Sequence, residues 1–155
     1  MALQSSGMPF LGADFGGGQP SGQPSLQFSV PCLEVVDEDS KPPSFNYLFY
    51  ELPLPEFPYQ VSFYVANGWC NGKGDFVQKM QILNPDRTPM VQTGNQPFKL
   101  TGIETPFMAV NFFQGIQFTK PGTYWFQVFL GDKKVLEYPL SVREAKAGAA
   151  APGAG

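Results

Sequence analysis

An antiparallel all-β sandwich is the fold class this sequence predicts, on three observations. The first is the stretch 116–142, IQFTKPGTYWFQVFLGDKKVLEYPLSV, in which a Pro-Gly turn and a Gly-Asp-Lys turn bracket two alternating runs. Tyr124, Phe126, Val128 and Leu130 fall on one face and Trp125, Gln127 and Phe129 on the other, the period of two that a pleated strand imposes. The second is composition: 15 Phe, 6 Tyr and 2 Trp against 15% charged residues favour strands and an aromatic core. The third is punctuation, with clusters of Gly, Pro, Asn and Asp cutting the chain into short segments.

Taken in order, residues 1–25 hold six Gly, three Pro and four Ser. Such a segment buries too little surface to offset its ordering entropy, so a disordered tail is expected, with Phe10, Leu11 and Phe15 as its scattered apolar positions. Residues 26–144 form the domain, and 145–155 (AKAGAAAPGAG) a second disordered tail. Within the domain, Leu26 to Val36 reads as a first strand. Its Pro31 argues for an edge position or a bulge, because proline donates no ladder hydrogen bond. Asp37 to Ser40 makes a turn. Phe45 to Leu52 alternates Phe45, Tyr47 and Phe49 with Asn46, Leu48 and Tyr50, then ends in LPLPEFP, whose three prolines keep it extended.

A strand from Tyr59 to Asn67 follows, with Val61, Phe63 and Val65 facing one way, and 68–75 (GWCNGKGD) reads as a long loop. The segment Phe76 to Asn84 fits either a helix capped by Asp75 or a strand with Phe76, Met80 and Ile82 on one face. The turn residues NPDRTP before Met90-Val91 favour the strand. Met108 to Phe118 gives a long strand with Gly115 at a bulge or a close-packing point. The terminal hairpin brings the expected count to seven to nine strands.

The run Pro-Gly-Thr-Tyr-Trp-Phe-Gln-Val (121–128) has the form of the penultimate strand of an immunoglobulin-like sandwich. There a tyrosine hydrogen-bonds back across the preceding corner, and a core residue follows two positions on. Structural roles for Tyr124 and Phe126 follow. From Phe28 to Val142 the layout resembles a broad family of uncharacterised bacterial domains with an immunoglobulin-like sandwich core. The matching residues are Leu33-Glu-Val-Val-Asp37, Leu83-Asn-Pro-Asp86, and the closing Phe118, Pro121-Gly122, Tyr124, Phe126, Val128 and Pro139-Leu-Ser-Val142. These specify turns and a core, so the resemblance implies a fold and no reaction, cofactor or catalytic residue.

Several function classes lose their chemistry at this level. The chain has no histidine, which removes Ser-His-Asp and Cys-His catalysis and His-ligated metals. Ten basic residues against thirteen acidic, unclustered, leave no surface for a phosphate backbone. No apolar run approaches the ~20 residues of a membrane span. The N-terminus lacks the basic start and apolar stretch of a secretory signal, so a cytoplasmic or virion-type location is expected, with no membrane partner. Cys32 and Cys70 make no metal motif and are expected as unpaired thiols. The Gly-rich 67–75 segment lacks the Gly-Lys-Ser/Thr ending of a phosphate loop. Asp37, Glu38 and Asp39 read as a solvated acidic turn rather than a cation site, and no spacing places Asp75 beside Glu104 as an acid/base pair.

The expectation is therefore a non-catalytic module without cofactor or metal, binding a protein partner or self-assembling through a sheet edge or its aromatic loops. Trp69, Phe57, Tyr59 and Tyr64 are the candidate interaction residues. Trp69, flanked by glycine, is either a lid over the core or an exposed recognition residue. The alternative function is a carbohydrate-binding sandwich with Trp69, Tyr59 and Tyr64 as a stacking platform.

Overall fold

The computed structural model describes residues 22–146; of the tails expected at 1–25 and 145–155, residues 1–21 and 147–155 lie outside the described residues, and Ser25 opens the first strand instead of belonging to a tail. Ten strands run in the order β1 (Ser25–Val36), β2 (Ser44–Leu48), β3 (Glu51–Leu54), β4 (Tyr59–Cys70), β5 (Gly74–Leu83), β6 (Pro89–Gln92), β7 (Gln96–Leu100), β8 (Phe107–Phe118), β9 (Gly122–Leu130) and β10 (Lys133–Glu144). They form two sheets, β2-β1-β4-β8 and β3-β10-β9-β5-β6, with β7 also pairing with β5. The count exceeds the sequence expectation because the 45–52 run divides between the two sheets and because β6 and β7 share one side of β5 in succession. No helix among the described residues is long and apolar enough to cross a membrane.

Strand order makes this an immunoglobulin-like sandwich. β4 and β8 share one sheet, while β5, β9 and β10 share the other. The first-edge segment changes sheets, pairing antiparallel with β1 as β2 and then parallel with β10 as β3. These are the B–E and C–F–G groupings of that fold. The added element is β1, which is inserted between the edge strand and β4.

Alternation fills the interior. Val61, Phe63, Val65 and Trp69 of β4 meet Met80 and Ile82 of β5 and Phe126 and Val128 of β9, all essentially without exposure. Phe63 is central, with its ring 5.2 Å from Phe113 and 6.0 Å from Phe126. Phe126 alone buries a side chain whose removal from water contributes about 2–3 kcal/mol before packing is counted.

Local features have identifiable causes. Pro31 pairs with Val65 on one side, and its carbonyl accepts from Phe49 N–H on the other at 3.1 Å. The missing donor therefore faces the side where the β2 ladder has ended. Gly115 takes φ 62° at a bulge opposite Ser62, a left-handed conformation that costs glycine least. The NPDRT turn closes with Asn84 N–H donating to Thr88 O, while the Asp86 carboxylate accepts from Thr88 N–H. The segment after Asp75 is strand β5, as the turn chemistry favours.

The long loop at 68–75 is not found. β4 continues to Cys70, since Trp69 pairs with Leu26 on one side and Phe107 on the other. Gly68 sits inside the strand because the Phe28 ring occupies the place of a side chain there: an added Cβ would lie 2.2 Å from its Cε2. Only 71–73 connect to β5.

Candidate functional site

Of the aromatics expected to recognise a partner, Trp69 must be corrected. It is fully buried, 5.5 Å from and stacked on Phe98, so it belongs to the core and cannot serve as a recognition residue. Inward parity with Phe63 and Val65 puts it there. Phe57 and Tyr59 are half-buried and pack against the core cluster. Tyr64 faces outward on β4 and stacks on Phe112 of β8 at 4.7 Å. The platform of Trp69, Tyr59 and Tyr64 is therefore not formed, because Trp69 and Tyr64 occupy opposite faces of one strand.

Tyr124 and Phe126 are fully buried. The Tyr124 hydroxyl donates to Lys120 O at 2.8 Å, and burial raises its pKa despite that bond. Both cysteines are free. Cys32 pairs with Tyr64 and Cys70 with Ser25, so they stand at opposite ends of the same β1–β4 ladder, beyond the reach of a disulfide. Asp37, Glu38, Asp39, Asp75 and Glu104 are all exposed. Among the described residues no three acidic or cysteine side chains converge as metal ligands.

A different surface stands out. β1 pairs with β4 over Ser25–Cys32 but with β2 only over Cys32–Val36, and the Pro31 carbonyl is taken by Phe49 N–H, which among the described residues leaves one side of residues 25–30 open. β10 pairs with β9 over Lys133–Val142 but with β3 only over Ser141–Glu144, leaving one side of 133–140 open among the described residues. Both open edges adjoin the segment 48–51 that crosses between the sheets, so they face one another along one flank of the sandwich.

Between them lies a cleft of about 240 Å³, lined by Val30, Pro31, Phe49, Tyr138, Pro139 and Leu140 among others. Ser29 Oγ and the Tyr138 hydroxyl share a hydrogen bond of 2.9 Å across it. Burial pushes the Tyr138 phenol up to about 12, against the effect of that bond, so it stays neutral. At one end the crossing segment presents Tyr47, Leu48 and Tyr50, which are 71%, 59% and 85% exposed. Tyr47 is held at φ 59°, an uncommon conformation for a bulky residue and a cost that ordinary strands avoid.

The sequence carried a trace of this flank. Residues 45–50 are aromatic or apolar at five of six positions, too many for a strand with one buried face. Phe45 packs on Phe28 and Phe49 on Phe63, and the others are left to solvent.

A family model described as "Family of unknown function (DUF6941)" matches residues 28–143. The chain belongs to DUF6941. No curated protein matches it. Among solved structures, an immunoglobulin-like protein from Pseudomonas aeruginosa is similar at 16% identity, over 82% of this chain and 100% of that one, with a TM-score of 0.42. For this DUF6941 domain the fold assignment rests on its own strand order.

Proposed function

We propose that the domain is a non-catalytic protein-interaction module that takes an extended segment of a partner protein along the flank between β1 and β10. The observation that carries the reading is the pair of open strand edges facing one another across an apolar cleft. Unpaired backbone groups are the means by which a sheet accepts an added strand, and pockets for alternate side chains supply its selectivity. The cleft has room for one bulky apolar side chain, and Leu48 and Tyr50 would flank it.

Pro139 stands on the open edge of β10, and Pro31 ends that of β1, where its carbonyl is already bonded to Phe49 N–H. Proline removes a donor from an edge and discourages indiscriminate pairing, so recognition leans on side chains seated in the cleft.

The test is affinity recovery with the full chain from its native source, followed by sizing. Leu48→Glu and Tyr50→Ala alter exposed residues and should melt as the parent does while losing the recovered protein. Ile103→Ser, on the exposed turn between β7 and β8, should keep it. Equal retention by all three variants, or no protein retained by the parent chain, would overturn the reading.

A further inference from the structure

The opposite flank holds a second site of different chemistry. A groove of about 470 Å³ runs between the free edge of β8 and the connection 93–95 that links β6 to β7. This lies within the size range of small-ligand sites. Thr93 fixes the wall: its N–H donates to Met80 O at 2.9 Å, and its Oγ1 accepts from Met80 N–H at 2.8 Å.

Beneath the groove the sandwich interior contains a layer of amides. Gln78, fully buried, accepts at Oε1 from Asn67 Nδ2 at 3.0 Å. Its Nε2 donates to Gln96 Oε1 at 3.0 Å and to Asn111 Oδ1 at 2.9 Å. Asn111 Nδ2 donates to Val65 O at 2.9 Å and toward Ala109 O. Asn111 is thereby saturated. Gln96, half-exposed at the groove, has its carbonyl held inward by Gln78, which leaves its amide hydrogens for whatever occupies the groove.

Among the described residues no ionisable side chain lines the groove, so none there would repay the desolvation of a phosphate, carboxylate or ammonium group. What it offers is side-chain amides, from Gln92, Asn95, Gln96 and Gln114, together with Phe112. Amides both donate and accept, as hydroxyl groups do. Phe112 is 50% exposed, and its ring is backed by Tyr64 at 4.7 Å, a supported apolar surface of the kind the C–H face of a sugar ring can cover.

From the neutral amide lining, the inward-locked Gln96 carbonyl and the backed Phe112 ring, we infer that this groove binds a neutral saccharide. It is separate from the flank between β1 and β10, and from the aromatic platform that the burial of Trp69 rules out. An amide network serving only to join the two sheets would not need Gln96 poised at the surface.

The experiment combines an array of neutral and acidic glycans, probed with the full chain, and titration of the ¹⁵N-labelled chain with maltose, cellobiose and N,N′-diacetylchitobiose. The expected result is neutral glycans retained on the array and saturable shifts of the Gln96, Asn95 and Gln114 side-chain amides below about 10 mM sugar, the weak end of specific binding. Gln96→Ala and Phe112→Ala should each weaken binding at least about tenfold, a loss of ~1.4 kcal/mol. Gln96→Ala leaves Gln78 bonded to Asn111, so it should fold. Binding confined to sulfated or sialylated glycans overturns the inference. So does the absence of any array signal or saturable shift, or binding unchanged in a Gln96→Ala chain that melts as the parent does.

Discussion

Replacing Gln78 with methionine should be among the costlier single changes in this protein, although it puts an apolar side chain of similar size into an apolar interior. The side chain is fully buried and makes three hydrogen bonds of 2.9–3.0 Å, to Asn67, Gln96 and Asn111. Gln96 is half-exposed and can turn to water; Asn67 and Asn111 are buried and cannot. Stranding a buried amide costs about 1–3 kcal/mol per group, more than the ~1 kcal/mol net worth of a hydrogen bond. Two such groups put the loss at about 3–4 kcal/mol after the small gain from burying a thioether. Among the described residues nothing bonds Asn67 Oδ1, so no neighbour there offsets the loss on this side of the network. Urea unfolding of Gln78→Met and of the double variant Gln78→Met/Asn111→Leu decides the matter. The double variant should cost less than the sum of its singles, because it removes a stranded acceptor. A loss under about 1 kcal/mol for Gln78→Met, or strictly additive behaviour, would refute the reasoning.

Phe126→Ala should destabilise by about 3–5 kcal/mol and Trp125→Ala by clearly less, since Trp125 is half-exposed and lies under Arg87 at 4.6 Å. A reversed order in chemical denaturation would mean the inward face of β9 is misassigned. Glu137 is held at about 2 by hydrogen bonds from Gln127 and Lys134 and by Arg87, against an ordinary value of 4.5. A carboxylate depressed on folding contributes stability above pH 4.5 that is lost as pH falls toward 2. Melting followed down that range should show a slope that Glu137→Gln flattens, and an unchanged slope would remove Glu137 from the account. Thiol counting under denaturing, non-reducing conditions should find both cysteines, and in the native protein Cys70 should react before Cys32, whose pKa is raised by burial. Finding neither would contradict the strand register.

What could be read in the sequence was what short-range pattern determines. The hairpin from Gly122 to Val142, the NPDRT turn and the bulge at Gly115 all announce themselves through alternation and turn residues. What could not be read depends on pairing between distant segments. Trp69 between glycine and cysteine resembles a loop residue until β1 and β8 close on both sides of it and Phe28 lies over Gly68. The open flank exists only because β1 is inserted beside β4 and the first-edge segment changes sheets midway, neither of which leaves a periodic mark. The amide layer did leave one. Phe76, Met80 and Ile82 form an inward face with Gln78 sitting in their midst, a polar residue at a position that demands partners.

The most direct test of the central claim is amide hydrogen exchange of the full chain, alone and with the protein it retains. Open strand edges exchange readily when free and slow when a strand is added. Slowing confined to 25–30 and 133–140, with 48–51 beside them, is the predicted result. Slowing along β8 and the 93–96 connection, with those two edges unchanged, would contradict it.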